Sequence, residues 1–146
     1  MNKILKGLLL SVLILTLSFN MLPLGAQNVE EGKSIDSEIA FEVDATLTAN
    51  GNRLQAKVFY ITGVNLITAR VYTYIQKYVD GVWRAASSVP TECGWIDEST
   101  KLDNTYYHYF TMTEKAYYRT KVVFYFYGTN DDMDRIERYD YYTYNG

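Results

Sequence analysis

The 146-residue sequence contains a single cysteine, Cys93, and a single histidine, His108. One cysteine cannot close a disulfide within the chain, so a folded domain must be held together by core packing alone. One histidine excludes a multi-histidine zinc site and an acid–base pair of histidines. We therefore expect a protein that is not an enzyme and that carries no cofactor.

The remaining nucleophilic arrangement pairs Cys93 with His108, in the chain order used by several cysteine peptidases. Such enzymes place the cysteine at the head of a helix, where its pKa is lowered, and the residues around Cys93 do not predict a helix. A half-buried thiol and a strand histidine are the ordinary interpretations of these two residues. We accordingly assign no catalytic residue.

The first 26 residues have the three parts of a signal peptide. Lys3 and Lys6 precede the apolar run Gly7–Leu17, and Pro23 is followed by Leu24 and then by the small residues Gly25 and Ala26. The apolar run is shorter than the ~20 residues that cross a bilayer. We expect cleavage after Ala26 and a secreted, extracellular protein; the alternative is an uncleaved membrane anchor.

Acidic residues outnumber basic ones. Lysine and arginine number 14 against 17 acidic residues, and removal of the two lysines of the signal peptide leaves 12 against 17, a formal charge of −5. The remaining cations are scattered singly among acids, whereas a phosphate backbone is held by clustered cations. We expect no nucleic-acid partner and no membrane contact after signal cleavage.

Tyrosine is unusually frequent, and all 15 tyrosines lie between Tyr60 and Tyr144. Together with Phe, Val and Thr they give a composition that favours strands over helices. Residues 27–39 are mostly polar and cannot bury enough apolar surface to become ordered. We predict a flexible leader over 27–39 and one domain over 40–146.

Apolar and polar residues alternate along most of this domain, as in half-buried strands. The first strand places Phe41 on the same face as Val43, Ala45 and Leu47. About seven strands are predicted, over residues 41–48, 53–60, 69–79, 82–88, 106–112, 117–127 and 135–144. Short strands at this spacing favour an all-β, antiparallel two-sheet β-sandwich of the immunoglobulin-like kind.

Two connections are distinctive. Asp80 and Gly81 form the dipeptide that best fits a two-residue hairpin turn. The stretch from Pro90 to Asp103 predicts a loop.

Tyr118 opens the sixth predicted strand after a turn, where immunoglobulin-like sandwiches place a tyrosine whose hydroxyl bonds back to that turn.

The run from Ile75 to Trp83, with its Gln-Lys strand, tight turn and tryptophan, is followed by a Tyr-Arg-x-Lys strand from Tyr118 to Lys121. This pattern resembles small secreted proteins of unknown function from Gram-positive bacteria. The resemblance covers residue 40 to the C-terminus and implies an immunoglobulin or fibronectin type III sandwich that is exported. It brings no catalytic residues.

Tyr72, Tyr74 and Tyr78 alternate with Val71, Thr73 and Ile75 on the third predicted strand, and Trp83 follows the turn. If the aliphatic residues point into the core, the aromatic ones form an exposed strip that stacks on sugars or anchors a protein. The last strand adds further rings, at Tyr139, Tyr141, Tyr142 and Tyr144. Two interpretations compete with this one: the rings belong to the core, or they only cover a solvent-facing sheet.

Asn130, Asp132 and Asp134 crowd oxygen atoms into the turn before the last strand and are a candidate calcium site. A complete calcium loop would add a glycine at the bend and a bidentate acid at the end. Polar hairpin turns have the same composition, so we assign no metal.

These observations favour a non-enzymatic extracellular sandwich that binds an envelope glycan, peptide or protein through an aromatic sheet face formed by Tyr72, Tyr74, Tyr78 and Trp83. The alternative is a secreted antagonist: a small toxin, bacteriocin or inhibitor. The antagonist predicts growth inhibition by purified protein, whereas a binding module predicts retention on cell walls or glycans without killing.

Overall fold

The structure is a computed structural model that describes Ser37, residues 39–86 and residues 94–146. This part of the chain contains eight strands and no helix. The strands are β1 (Ala40–Asn50), β2 (Arg53–Thr62), β3 (Leu66–Val79), β4 (Val82–Ala85), β5 (Trp95–Ser99), β6 (Asp103–Thr111), β7 (Ala116–Gly128) and β8 (Met133–Tyr144). The all-β prediction is confirmed, with one strand more than the seven expected.

All strand pairs are antiparallel, and they form two sheets. The three-stranded sheet has the order β1-β2-β6, and the five-stranded sheet has the order β4-β3-β7-β8. The fifth strand of the larger sheet, β5, also pairs with β3. One side of β3 therefore pairs with β7, and the other side pairs with β5 along its first half and β4 along its second.

The core lies between the two sheets and is built by side chains that alternate along each strand. On β7 the side chains alternate between the two faces of the sheet, and all five members of the inward set are buried: Tyr118, Thr120, Val122, Phe124 and Phe126. One cluster packs Val58 and Tyr60 of β2 against Phe124 and Phe126, while another packs Leu54 and Met112 against Tyr118. The two-sheet sandwich is thereby confirmed.

The predicted turn between β3 and β4 is present. Val79 pairs with Val82, and the two residues between them, Asp80 and Gly81, both have positive φ. Both φ angles lie in the region that a type I′ hairpin requires, which explains why the Asp-Gly dipeptide predicts the turn correctly.

Two local predictions were wrong. Phe41 does not share a face with Val43, because a bulge between Ala40 and Glu42 shifts the register and leaves Phe41 69% exposed. The predicted loop from Pro90 to Asp103 contains β5. This strand was missed because its inward positions include Asp97, while Ile96 faces solvent, so the usual alternation is reversed.

The predicted signal peptide, most of the predicted leader and Cys93 lie outside the described residues. Ser37 and Ile39 are the two described residues of the leader region. Ile39 is buried in the core, and its backbone N–H donates to the Asp134 carboxylate at 2.9 Å. Within the described residues no helix is long and apolar enough to cross a membrane.

Candidate functional site

The predicted aromatic residues lie on the outer face of the five-stranded sheet, together with further tyrosines of β7 and β8. Val71, Thr73 and Ile75 of β3 point into the core, so the tyrosines between them face outward. We call this surface the aromatic face. Its rings include Tyr72, Tyr74, Tyr78, Trp83, Tyr117, Tyr125, Tyr139 and Tyr141.

Trp83 is the centre of the aromatic face. The β3–β4 hairpin places it opposite Tyr78, and the two ring centroids are 5.1 Å apart. The Trp83 ring also lies 5.4 Å from Tyr117 and 5.9 Å from Tyr141, which stack on each other at 5.7 Å. Four strands, β3, β4, β7 and β8, thus contribute one ring each to the cluster, and the three tyrosines are 39–47% exposed.

Arg119 lies inside this cluster. Its guanidinium carbon is 4.3 Å from the centroid of Trp83 and 5.1 Å from that of Tyr139. Its Nε donates a 2.8 Å hydrogen bond to Oε1 of Gln76, its partner in the β3–β7 register. Stacking on aromatic rings suits a guanidinium group, because the plane of the group stays parallel to the rings while its N–H groups point outward at the edge.

The carboxylate of Glu137 on β8 interacts with three side chains on the same face. It lies 3.2 Å from Nζ of Lys121 and also binds Arg135 and the hydroxyl of Tyr139. The hydrogen bond from Tyr139, with the two cations, lowers the pKa of Glu137 from 4.5 to about 2. Burial and the neighbouring carboxylate raise the pKa of Tyr139 to about 12. Glu137 is therefore ionised at neutral pH.

At the other end of the aromatic face, Tyr72 packs edge-on against Tyr125 at 5.6 Å. Nε of Arg135 donates a 3.2 Å hydrogen bond to the Tyr125 hydroxyl. In the same region Arg70 pairs with Glu98 of β5 at 3.0 Å. Tyrosine rings and charged groups thus lie next to each other at both ends of the face.

Comparisons with known proteins assign no function to this surface. The chain matches no protein-family model, and no curated protein or solved structure shows significant similarity to it. The case for a function therefore rests on the geometry of the chain itself.

The structure brings together only part of the predicted strip. Tyr78 and Trp83 contact each other, whereas Tyr72 belongs to the group around Tyr125. Tyr74 is half-buried and paired in register with Lys121. Whether these residues bind a ligand stays a prediction.

Sequence reasoning did not assign Tyr117 and Arg119 to the site, and it named Tyr139 and Tyr141 only as further rings of the last strand. Alternation along β7 places Arg119 on the face opposite the buried residues, but it does not place Arg119 beside Trp83. On β8, alternation separates two outward rings, Tyr139 and Tyr141, from Tyr142 and Tyr144, which pack against the core. The missing information was the cross-strand register.

His108 lies on β6 at the edge between the two sheets. Its Nε2 is 2.8 Å from Oδ2 of Asp97 on β5, and its ring stacks on Trp95 at 4.8 Å. Only 8% of His108 is exposed. The ring is thus engaged by Asp97 and Trp95; the proposed pairing with Cys93 involves a residue outside the described part and stays untested.

The candidate calcium residues occupy the β7–β8 turn and the start of β8. Oδ2 of Asp134 accepts hydrogen bonds from the backbone N–H of Ile39 and from the Ser37 hydroxyl, so this oxygen already holds the start of β1. Among the described residues no group of three or more acidic, histidine or cysteine side chains is arranged to hold a metal. Asn130, Asp132 and Asp134 stay an untested candidate site, to which we assign no metal.

Proposed function

We propose that the protein is a secreted, non-enzymatic binding module with an immunoglobulin-like fold, and that its ligand binds the aromatic face. The observation that carries the proposal is the cluster of Trp83, three partly exposed tyrosines and Arg119 on one sheet surface. Trp, Tyr and Arg are the residue types that dominate binding energy at protein surfaces. Export is supported by the signal-like sequence of residues 1–26.

The strand order supports the immunoglobulin-like part of the proposal. The sheets β1-β2-β6 and β3-β7-β8 correspond to strands A-B-E and C-F-G of that fold, with β4 in the place of C′. Tyr118 stands near the start of the F-like strand, and its hydroxyl bonds to the preceding turn. The departure is β5, which stands where strand D would be in the chain but pairs with the C-like strand.

Binding competes with the purely structural interpretation, in which the rings only shield the sheet. Val123 supports the shielding interpretation in part, because it lies on the outer side of β7 and neighbouring side chains leave it only 4% exposed. The rings around Trp83 differ, since each of Tyr78, Tyr117 and Tyr141 keeps more than a third of its surface in contact with solvent. A shielding layer does not need a stacked arginine at its centre.

The test is retention of purified protein on cell-envelope fractions and on a glycan array. The double variant Tyr78→Ser/Tyr141→Ser removes two exposed rings of the cluster, and Tyr107→Ser is the matched control because Tyr107 is 52% exposed on β6, in the other sheet. We expect the double variant to bind about tenfold more weakly or worse, and the control to bind like the parent protein.

Equal binding by all three proteins, with equal melting temperatures, would reject the aromatic face as the site. The same preparations should be added to growing bacteria. Growth inhibition that survives loss of the two tyrosines would favour the secreted antagonist instead.

A further inference from the structure

Arg119 differs from the other cations of the aromatic face in having no carboxylate partner among the described residues. Arg70 pairs with Glu98, whereas Lys121 and Arg135 share Glu137. The hydrogen bond of Arg119 to Gln76 uses Nε. Its two terminal nitrogens, Nη1 and Nη2, make no hydrogen bond within the described part of the chain, so four N–H donors are left for another molecule.

The charge of the surrounding surface has the opposite sign to that of the chain. The chain carries 14 basic and 17 acidic residues. Among the described residues, in contrast, the outer face of the five-stranded sheet presents four cations, Arg70, Arg119, Lys121 and Arg135, against two carboxylates, Glu98 and Glu137. A positive patch attracts anionic groups, even on a protein whose net charge is negative.

Stacking also holds the guanidinium group of Arg119 in place before an anion binds. The rings of Trp83 and Tyr139 lie 4.3 and 5.1 Å from its guanidinium carbon, and the Gln76 bond fixes Nε. A guanidinium held this way loses little conformational freedom when it forms a two-pronged hydrogen bond with a carboxylate. The apolar rings around it reduce the competition from water.

We propose, as an extension of the proposed function, that the ligand is an acidic polysaccharide whose carboxylate binds Nη1 and Nη2 of Arg119 while neighbouring sugar rings contact Tyr78 and Tyr141. The partly exposed tyrosines offer apolar ring surface to sugar C–H groups and hydroxyl groups to sugar hydroxyls. A polysaccharide also suits a sheet surface on which rings and cations recur along the strands.

Binding to three soluble polymers tests this assignment: polygalacturonate as the acidic polysaccharide, dextran as a neutral one and polyglutamate as an acidic peptide. We expect binding to polygalacturonate that weakens as salt is added, and little binding to the other two. Arg119→Gln should weaken polygalacturonate binding about tenfold. Arg119→Lys keeps the charge but loses the two coplanar terminal nitrogens, so it should bind more tightly than Arg119→Gln and more weakly than the parent protein.

Arg53→Gln is the matched control. The guanidinium carbon of Arg53 also lies over a tyrosine ring, 4.2 Å from the centroid of Tyr109, and it too has no ion pair among the described residues. It lies on β2, in the other sheet, so its substitution should leave binding unchanged. Melting temperatures of all variants show whether a loss of binding is a loss of folding.

The outcomes separate this inference from the proposed function. Equal affinity for dextran and polygalacturonate, or an unchanged affinity in Arg119→Gln, overturns the acidic ligand, while a loss of envelope binding in Tyr78→Ser/Tyr141→Ser still supports the aromatic face. Tighter binding to polyglutamate overturns the polysaccharide in favour of an acidic protein. A parent protein that binds none of the three polymers also overturns it.

Discussion

The hydroxyl of Tyr118 donates a 3.0 Å hydrogen bond to the backbone carbonyl of Glu114, four residues earlier in the chain. Tyr118 is 1% exposed, and its ring packs against Phe110 of the opposite sheet at 5.8 Å. Burial raises the pKa of its hydroxyl. One side chain therefore joins the core to the turn that precedes β7.

Tyr118→Phe should lower the free energy of unfolding by about 1 kcal/mol, because it removes this hydrogen bond and leaves the ring packing intact. Denaturant unfolding measures the difference. Tyr117→Phe is the control, since Tyr117 points outward from the same strand and is 39% exposed. Equal losses in the two variants would show that the bond to Glu114 contributes nothing of its own.

Tyr118 also shows which parts of the fold the sequence could predict. The faces of β7 follow from a two-residue period, which is a local property, and the turn residues Asp80 and Gly81 act locally as well. The bulge that turns out Phe41 depends on the partner strand, so it left no local signal. Strand β5 was hidden because Asp97 points inward to meet a residue of the other sheet.

The candidate site was predictable to a smaller extent. Alternation was sufficient to place Tyr72, Tyr74 and Tyr78 on one face. The contact between Trp83 and Arg119 depends on two strand registers at once, β3 with β4 and β3 with β7. Sequence spacing between residues 83 and 119 carries no information about it.

Asp97→Ala should lower the free energy of unfolding by about 1–3 kcal/mol, because it leaves the buried His108 ring without its hydrogen-bond partner. The adjacent residue provides the control. Glu98 pairs with Arg70 on the solvent side of β5, with its side chain 55% exposed, so Glu98→Ala should cost at most about 1 kcal/mol. Equilibrium denaturation of both variants makes the comparison, and a smaller loss for Asp97 would contradict it.

Gly94→Ala should be strongly destabilising. Gly94 has a φ of +64°, and a Cβ atom there would lie 2.2 Å from the backbone oxygen of Thr73. Gly51 has a similar φ of +58° with open space around it, so Gly51→Ala reports the backbone strain alone, about 1 kcal/mol. We expect Gly94→Ala to lose a further 1–3 kcal/mol or so from the steric clash.

Thermal unfolding of the two glycine variants gives the comparison directly. Similar losses would mean that β5 can move away from Thr73 without cost. In that case the pairing of β5 with β3, and with it the position of Asp97, would be less rigid than its hydrogen bonds indicate.

Glu137 should make the stability depend on pH in the acid range. Its folded-state pKa of about 2 is below the ordinary value of 4.5, so the ionised form stabilises the folded protein. This contribution is fully present above pH 4.5 and is lost as the pH falls towards 2. The stability difference between the parent protein and Glu137→Gln should therefore be constant near neutral pH, shrink below pH 4.5 and disappear near pH 2.

Tyr139→Phe tests the cause of that shift. The hydrogen bond from Tyr139 is the largest contribution that lowers the pKa of Glu137, ahead of those of Arg135 and Lys121. Without it the folded-state pKa should move back towards 4.5, and the acid-dependent loss of stability should become smaller. Denaturant unfolding from pH 7 to pH 2 measures both variants. An unchanged pH profile in Tyr139→Phe would mean that the two cations alone hold the carboxylate in its ionised form.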